Sequence, residues 1–222
     1  MLKNKETTRI PKDSISVESN FETNRVWQFI DCSIVDFPPY YRKIKDSSKE
    51  NRISDFLIYH FHCCMSEQLN GFPPYYFAKN PTQSQSDRET DIGVFVIIPN
   101  EKPITLIEFE AKRLSKTSNN KEYVCGERGG IERFKRNDHA PHLSECGMFA
   151  YVQNGISANW VNKINGWINE LAETNAYPTI NWLKEETLTK VDSFPKVEKY
   201  TSSHPCLPPR NSIILWHYFI EL

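Results

Sequence analysis

The feature that most constrains this chain is a pair of apolar runs joined by one short polar turn: DIGVFVII (91–98), PNEKP (99–103) and ITLIEFEAKRL (104–114). Five turn residues between two such runs predict an antiparallel hairpin. Side chains alternate across a strand, so Ile104, Leu106, Glu108, Glu110 and Lys112 share one face. Thr105, Ile107, Phe109 and Ala111 share the other. Two carboxylates and an ammonium on one face of an otherwise apolar strand are costly to place there unless something uses the charge.

The hairpin adds a third group. Asp91 opens the first strand, and Glu110 with Lys112 closes the second. In an antiparallel pair the start of one strand lies beside the end of the other, so chain geometry alone brings Asp91 close to Glu110 and Lys112. A divalent cation is the natural partner: Mg²⁺ takes one or two carboxylates together with waters and phosphate oxygens. A lysine beside it can orient or deprotonate an attacking water, or stabilise charge developing on phosphorus. Glu108 has the same parity but lies one step deeper in the strand.

The stretch DIGVFVIIPNEKPITLIEFEAK (91–112) resembles the catalytic hairpin of the PD-(D/E)XK nuclease superfamily. That pattern opens one strand with Asp and closes the next with D/E-x-K. The resemblance implies Asp91 and Glu110 as metal ligands, assisted by the backbone carbonyl of Ala111, and Lys112 as the catalytic lysine. Glu50, early in the preceding helix, matches an acidic residue that some branches direct toward the site. Glu108 is a candidate supporting carboxylate or ligand to a second metal. Thr90 stands where the pattern has proline, a place at which the family varies widely. Motif specificity is confined to the hairpin, although the order of elements extends the likeness over about residues 48–155. The implied fold is α/β and restriction-endonuclease-like, a mixed central β-sheet flanked by helices. The implied chemistry is Mg²⁺-dependent cleavage of DNA, with Mn²⁺ as a substitute, in restriction or anti-phage defence and often by a homodimer.

Around the hairpin the chain reads as one domain over 26–222 after a polar, loose arm at 1–25. VWQFIDCSIVDF fits a strand or a short helix. FPPYY occurs at 37–41 and at 72–76, which reads as reuse of a proline-driven turn. Residues 47–71 form the clearest helix, capped by Ser47 or Ser48 and ended by Gly71. YYFAKN and GMFAYVQ read as strands, PTQSQSDRET as a loop, and SANWVNKINGWINELAET as an amphipathic helix. A shorter helix is expected around TINWLKEETL. VEKYTSSH and SIILWHYFIEL are two closing strands, the last either a dimer interface or core.

CGERGGIERFKRNDHAPHL, after the hairpin, supplies candidate nucleic-acid-binding residues: Arg128, Arg133, Lys135 and Arg136, with Gln153 at the end of the next strand. If GGIERFKR opens a helix, its amides and bases can receive phosphates. Glu127, Glu132 and Asp138 interleave with these bases and offer the solvated alternative. His139 and His142 read as surface residues. The net charge of −1 excludes a grossly basic protein and leaves a local cleft as the route to nucleic acid.

Six cysteines without a C-x-x-C pair argue for reduced thiols in a cytoplasmic protein and against a structural zinc site. The N-terminus lacks the apolar core of a signal peptide, and no apolar run is long enough to span a bilayer. Phosphate-binding and nucleophile-elbow glycine motifs are missing from the sequence. The rival from another class is a non-catalytic nuclease-like module that binds nucleic acid or a protein partner.

Overall fold

A computed structural model describes residues 15–44, 49–67, 75–81, 89–96, 102–174 and 180–222, with side chains from Phe21 onward. The fold is α/β, a seven-stranded mixed sheet flanked by helices. The helices are α1 (Ile15–Ser33), α2 (Phe37–Ile44), α3 (Glu50–Glu67), α4 (Gly130–Lys135) and α5 (Ser157–Thr174). The strands are β1 (Tyr75–Lys79), β2 (Ile92–Val96), β3 (Ile104–Leu114), β4 (Glu145–Val152), β5 (Thr189–Phe194), β6 (Val197–Pro205) and β7 (Ser212–Glu221). Their spatial order is β1-β2-β3-β4-β7-β6-β5. β3–β4 and β4–β7 pair in parallel, and the other pairs are antiparallel. Among the described residues, no helix is long and apolar enough to cross a membrane.

Strand alternation divides the core in two. Ile107, Phe109 and Ala111 of β3, Phe149 of β4 and Tyr218 of β7 face α1, α2 and α3. Leu114, Met148, Ala150 and Phe219 face α4 and α5 on the other side. Helix α3 joins the first layer because Ile53, Leu57 and Phe61 recur every four residues and are fully buried. Its Ser54 hydroxyl meets the Tyr151 hydroxyl of β4 at 3.0 Å, fixing the helix over the sheet.

The pairing of β3 with β4 rests on a glycine. Phe109 stacks on Phe149 with ring centroids 4.5 Å apart. A Cβ at Gly147 would lie 2.1 Å from the Phe109 ring. Each buried phenylalanine contributes about 1.5–3 kcal/mol, so a side chain at 147 would displace a ring on which both strands depend.

Several expectations change here. VWQFIDCSIVDF is helical: its first eight residues end α1, which runs through the expected arm boundary at residue 25, and a 3-10 turn at Ile34–Asp36 leads into α2. The first FPPYY is helical at the start of α2, whereas Tyr75 and Tyr76 of the second copy open β1. The caps expected at Ser47, Ser48 and Gly71 lie outside the described residues, as do most of PTQSQSDRET and part of the hairpin turn. The described part of TINWLKEETL, residues 180–188, holds a 3-10 turn at Lys184–Glu186 instead of a helix. β5 was not expected, because TKVDSF is polar; it is an edge strand, exposed along most of its length, and is held by backbone pairing to β6. The aromatic strand β7 lies between β4 and β6, with Leu215 and residues 217–220 buried, so it is core and not an interface.

Candidate active site

The hairpin forms with the expected pairing, and its two strands differ in length. β2 has five residues and β3 has eleven. The ladder ends where the Asp91 N–H donates to the Phe109 carbonyl at 3.0 Å. Past that point β3 still presents backbone donors to the vacated edge, and such donors need partners when buried. Two carboxylates supply them. Asp91 Oδ2 accepts from the Ala111 N–H at 2.7 Å, and Glu50 Oε2 accepts from the Arg113 N–H at 2.5 Å. A strand residue points its N–H and C=O to the same edge, so the Ala111 carbonyl lies on the Asp91 side. Glu50 reaches this edge from the first turn of α3.

Glu110 is buried and crowded by cations. Its Oε1 accepts from Lys112 Nζ at 2.7 Å and from Arg133 Nη1 at 3.0 Å. Behind it, His139 Nε2 stands 3.2 Å from Oε2, too poorly aligned for either ring nitrogen to make a hydrogen bond. The approach is a close charge–dipole contact.

These environments push the carboxylates apart. Burial raises the Asp91 carboxyl to about 7, the Glu110 charge adds to this, and Lys112 with the Ala111 N–H works against it. Burial also raises Glu50, opposed by Lys112 and the Arg113 N–H. Burial alone would raise Glu110 too, but His139 and Lys112 outweigh it and hold the group at about 2. Burial would lower Lys112, yet the surrounding Glu110, Asp91 and Glu50 charges raise it. Titratable groups separated in this way are typical of working sites, although structural ion clusters do the same.

Asp91, Glu50, Glu110 and Lys112 line a cavity of about 500 Å³. The polar loop after β3, including Thr117, Ser118 and Asn119, lines the same cavity, together with Arg128 and Arg133. Sequence reasoning missed this loop. The S-K-T-S-N-N run directly after the E-x-K strand was the available signal.

The remaining candidates divide. Arg128 and Arg133 line the cavity. Lys135 does not: it is buried, paired with Glu186, and its Nζ lies 4.3 Å from the Trp182 ring centroid. The reason is helical phase, since residues two apart point about 200° away from each other, so Arg133 and Lys135 leave α4 on opposite sides. Arg136 is held by Glu132 at 2.7 Å, Asp138 at 2.9 Å and the Glu127 carbonyl at 3.1 Å, outside the cavity. Gln153 directly follows β4, its N–H donating to the Leu114 carbonyl at 3.0 Å. Glu108 is buried away from the cavity, accepting from the Thr90 hydroxyl at 3.0 Å with His142 at 3.9 Å. It shares the parity of Glu110 but lies about 7 Å back along the strand. His139, expected at the surface, is fully buried. It is flanked by Asn137 and Ala140 at φ of 61° and 44°, a bent path that no local pattern announces.

Among the described residues, no group of three or more His, Cys, Asp or Glu side chains is gathered as a metal cage. The donors at the open edge are Asp91, Glu110, Glu50 and the Ala111 carbonyl. Oxygen donors few in number suit Mg²⁺, which keeps much of its water, better than they suit a closed zinc site. The chain matches no family model, no curated protein and no solved structure.

Proposed function

We propose that the protein is a Mg²⁺-dependent phosphodiesterase of the PD-(D/E)XK type, an endonuclease acting on DNA. The observation that carries this reading is the convergence of Asp91, Glu110, Glu50 and Lys112 on one cavity at the open end of the β2–β3 hairpin. The order α3-β1-β2-β3-α4-β4 also follows the α-β-β-β-α-β succession of that superfamily. Asp91 and Glu110 would hold the ion, with the Ala111 carbonyl beside them and Glu50 as a further acidic neighbour. A bound Mg²⁺ supplies Lewis-acid polarisation of a phosphodiester oxygen and lowers the pKa of water.

The chain's own residues have separable tasks. Lys112 stays protonated, because three carboxylates surround it, so it orients the nucleophile and stabilises developing negative charge instead of removing a proton. Arg128 and Arg133 face the same cavity and are placed to meet phosphate oxygens. Restriction or anti-phage defence is the setting that the superfamily suggests, and a second copy would allow both strands of a duplex to be cut.

One observation favours the rival reading of a non-catalytic nucleic-acid-binding module. Glu110 already has two cations on one oxygen, an arrangement that is satisfied without a metal. Cleavage of linear, circular and single-stranded DNA with Mg²⁺ or Mn²⁺, compared with Lys112→Ala, decides between the two. Metal-dependent cleavage that Lys112→Ala abolishes supports the enzyme. DNA binding without cleavage under any of these conditions supports the module.

A further inference from the structure

The site cavity does not end at its own wall. A second cavity of about 460 Å³ adjoins it, and the two share Asn119, Glu122 and Arg128. Each has the volume of a small-ligand pocket.

The charges around this divide are mostly committed. Lys112 and Arg133 bond Glu110, and the Arg113 Nε donates to Ser118 at 3.1 Å. In the second cavity Lys121 pairs with Glu170 at 3.0 Å, and Glu122 accepts from Asn119 at 3.1 Å. Arg128 differs. It is exposed, and among the described residues it has no ion-pair partner. An uncommitted guanidinium on a ridge between two polar hollows is suited to gripping a phosphate that passes over it.

That ridge is built to stay in place. The turn before Arg128 passes through Gly126 at φ +110°, whose N–H donates to Glu132 Oε2 at 3.0 Å. Glu132 also takes Arg136, and Arg136 in turn donates to the Glu127 carbonyl. Arg136 therefore braces the turn that carries Arg128, a positioning role in place of the phosphate contact its charge suggested.

We infer, resting on the nuclease reading above, that the substrate is a polynucleotide strand that crosses the Arg128 ridge, placing the scissile phosphate in the first cavity and the adjoining nucleotide in the second. Substrate recognition then extends beyond the hydrolytic cluster, and a mononucleotide fills only half of the site.

The test measures binding by the full chain, with Ca²⁺ replacing Mg²⁺, to a labelled thymidine mononucleotide, a single-stranded DNA octamer and a duplex dodecamer. Wild type is compared with Arg128→Ala, Arg136→Ala and, as a control for diffuse charge, Lys116→Ala, an exposed residue outside both cavities. Arg128→Ala is expected to weaken the octamer or the duplex roughly tenfold, and to reduce the salt slope by about one, with a several-fold smaller loss on the mononucleotide, which meets Arg128 from the first cavity alone. Arg136→Ala should give part of the same loss, and Lys116→Ala none.

Equal loss on the mononucleotide, an equal effect of Lys116→Ala, or no effect of Arg128→Ala on either oligomer would overturn the assignment. If wild type cleaves DNA while Arg128→Ala behaves as wild type, the two-cavity path fails and the nuclease reading stands. If wild type neither binds nor cleaves any DNA, both fail together.

Discussion

Among the described residues, two clusters of acids, bases and imidazoles are arranged in opposite ways. One is the cavity group of Asp91, Glu50, Glu110 and Lys112. The other is a buried chain on the α4 side of the sheet. There the Tyr123 hydroxyl meets His217 Nδ1 at 2.8 Å, and His217 Nε2 meets Ser202 Oγ at 2.7 Å. Ser202 Oγ meets His204 Nε2 at 2.6 Å, and His204 Nδ1 meets Glu186 Oε2 at 2.6 Å, where Lys135 also pairs. Ser202, His204 and Glu186 have the connectivity of a nucleophile–base–acid relay. All three are buried. Every member of the chain has a partner, and its single carboxylate is balanced by a lysine.

The cavity group is the unbalanced one. Three carboxylates compete for Lys112 and Arg133, and burial, with the Glu110 charge adding to it, raises the Asp91 and Glu50 carboxyls. A closed, balanced network serves the fold. An open cluster with surplus charge is where a cation and a substrate gain most.

Removing charge from each cluster should therefore have opposite effects. The largest is expected at Glu186→Gln, which leaves Lys135 buried and unpaired; urea unfolding near neutral pH should show a loss of about 3–5 kcal/mol. A loss under 1 kcal/mol would mean that the network is not the structural element described. Lys112→Ala should next reduce DNA hydrolysis by roughly 10²–10³-fold, in a chain whose circular dichroism is unchanged. Undiminished turnover would remove Lys112 from the chemistry.

The pH dependence sharpens the contrast. Asp91 is raised to about 7, so the stability it contributes is present below its ordinary value and is lost as pH rises through 7. His204 and His217 are lowered by burial, so their contribution is present above the ordinary imidazole value and is lost as pH falls. A metal held as proposed has to displace the Asp91 proton below 7. Mn²⁺ affinity should then rise up to tenfold per pH unit until about 7 and level off, a slope that isothermal titration reads directly. A pH-independent affinity would separate Asp91 from the ion.

The smallest effect is the most diagnostic of sign. Asp91→Asn, assayed near pH 8 without metal, should stabilise the fold by on the order of 2 kcal/mol, because it removes a buried charge and keeps an acceptor for the Ala111 N–H. Destabilisation there would place Asp91 with the structural network.

How far each feature was legible depended on how local its cause is. The hairpin and its charges could be read because strand alternation acts over two residues, which places Glu110 and Lys112 on one face whatever surrounds them. Helices α3 and α5 could be read from apolar spacing for the same reason. β5 could not, since an edge strand held by backbone pairing leaves little trace in side-chain pattern. The two FPPYY copies make the same point: the first opens a helix at 37, whereas Tyr75 and Tyr76 of the second open a strand, so the same two tyrosines follow the element they pack in.

The sequence by itself determined which groups stand at the open end of β3: an aspartate at the start of its partner, and a glutamate and lysine at its own end. It did not determine what surrounds them. Only the tertiary structure placed Arg133 on Glu110 and sent Lys135 to Glu186, buried His139 behind the carboxylate, withdrew Glu108 to Thr90, and set a second cavity beside the first. Those outcomes depend on contacts between residues far apart in the chain, where packing and the need to pair each buried charge override local pattern.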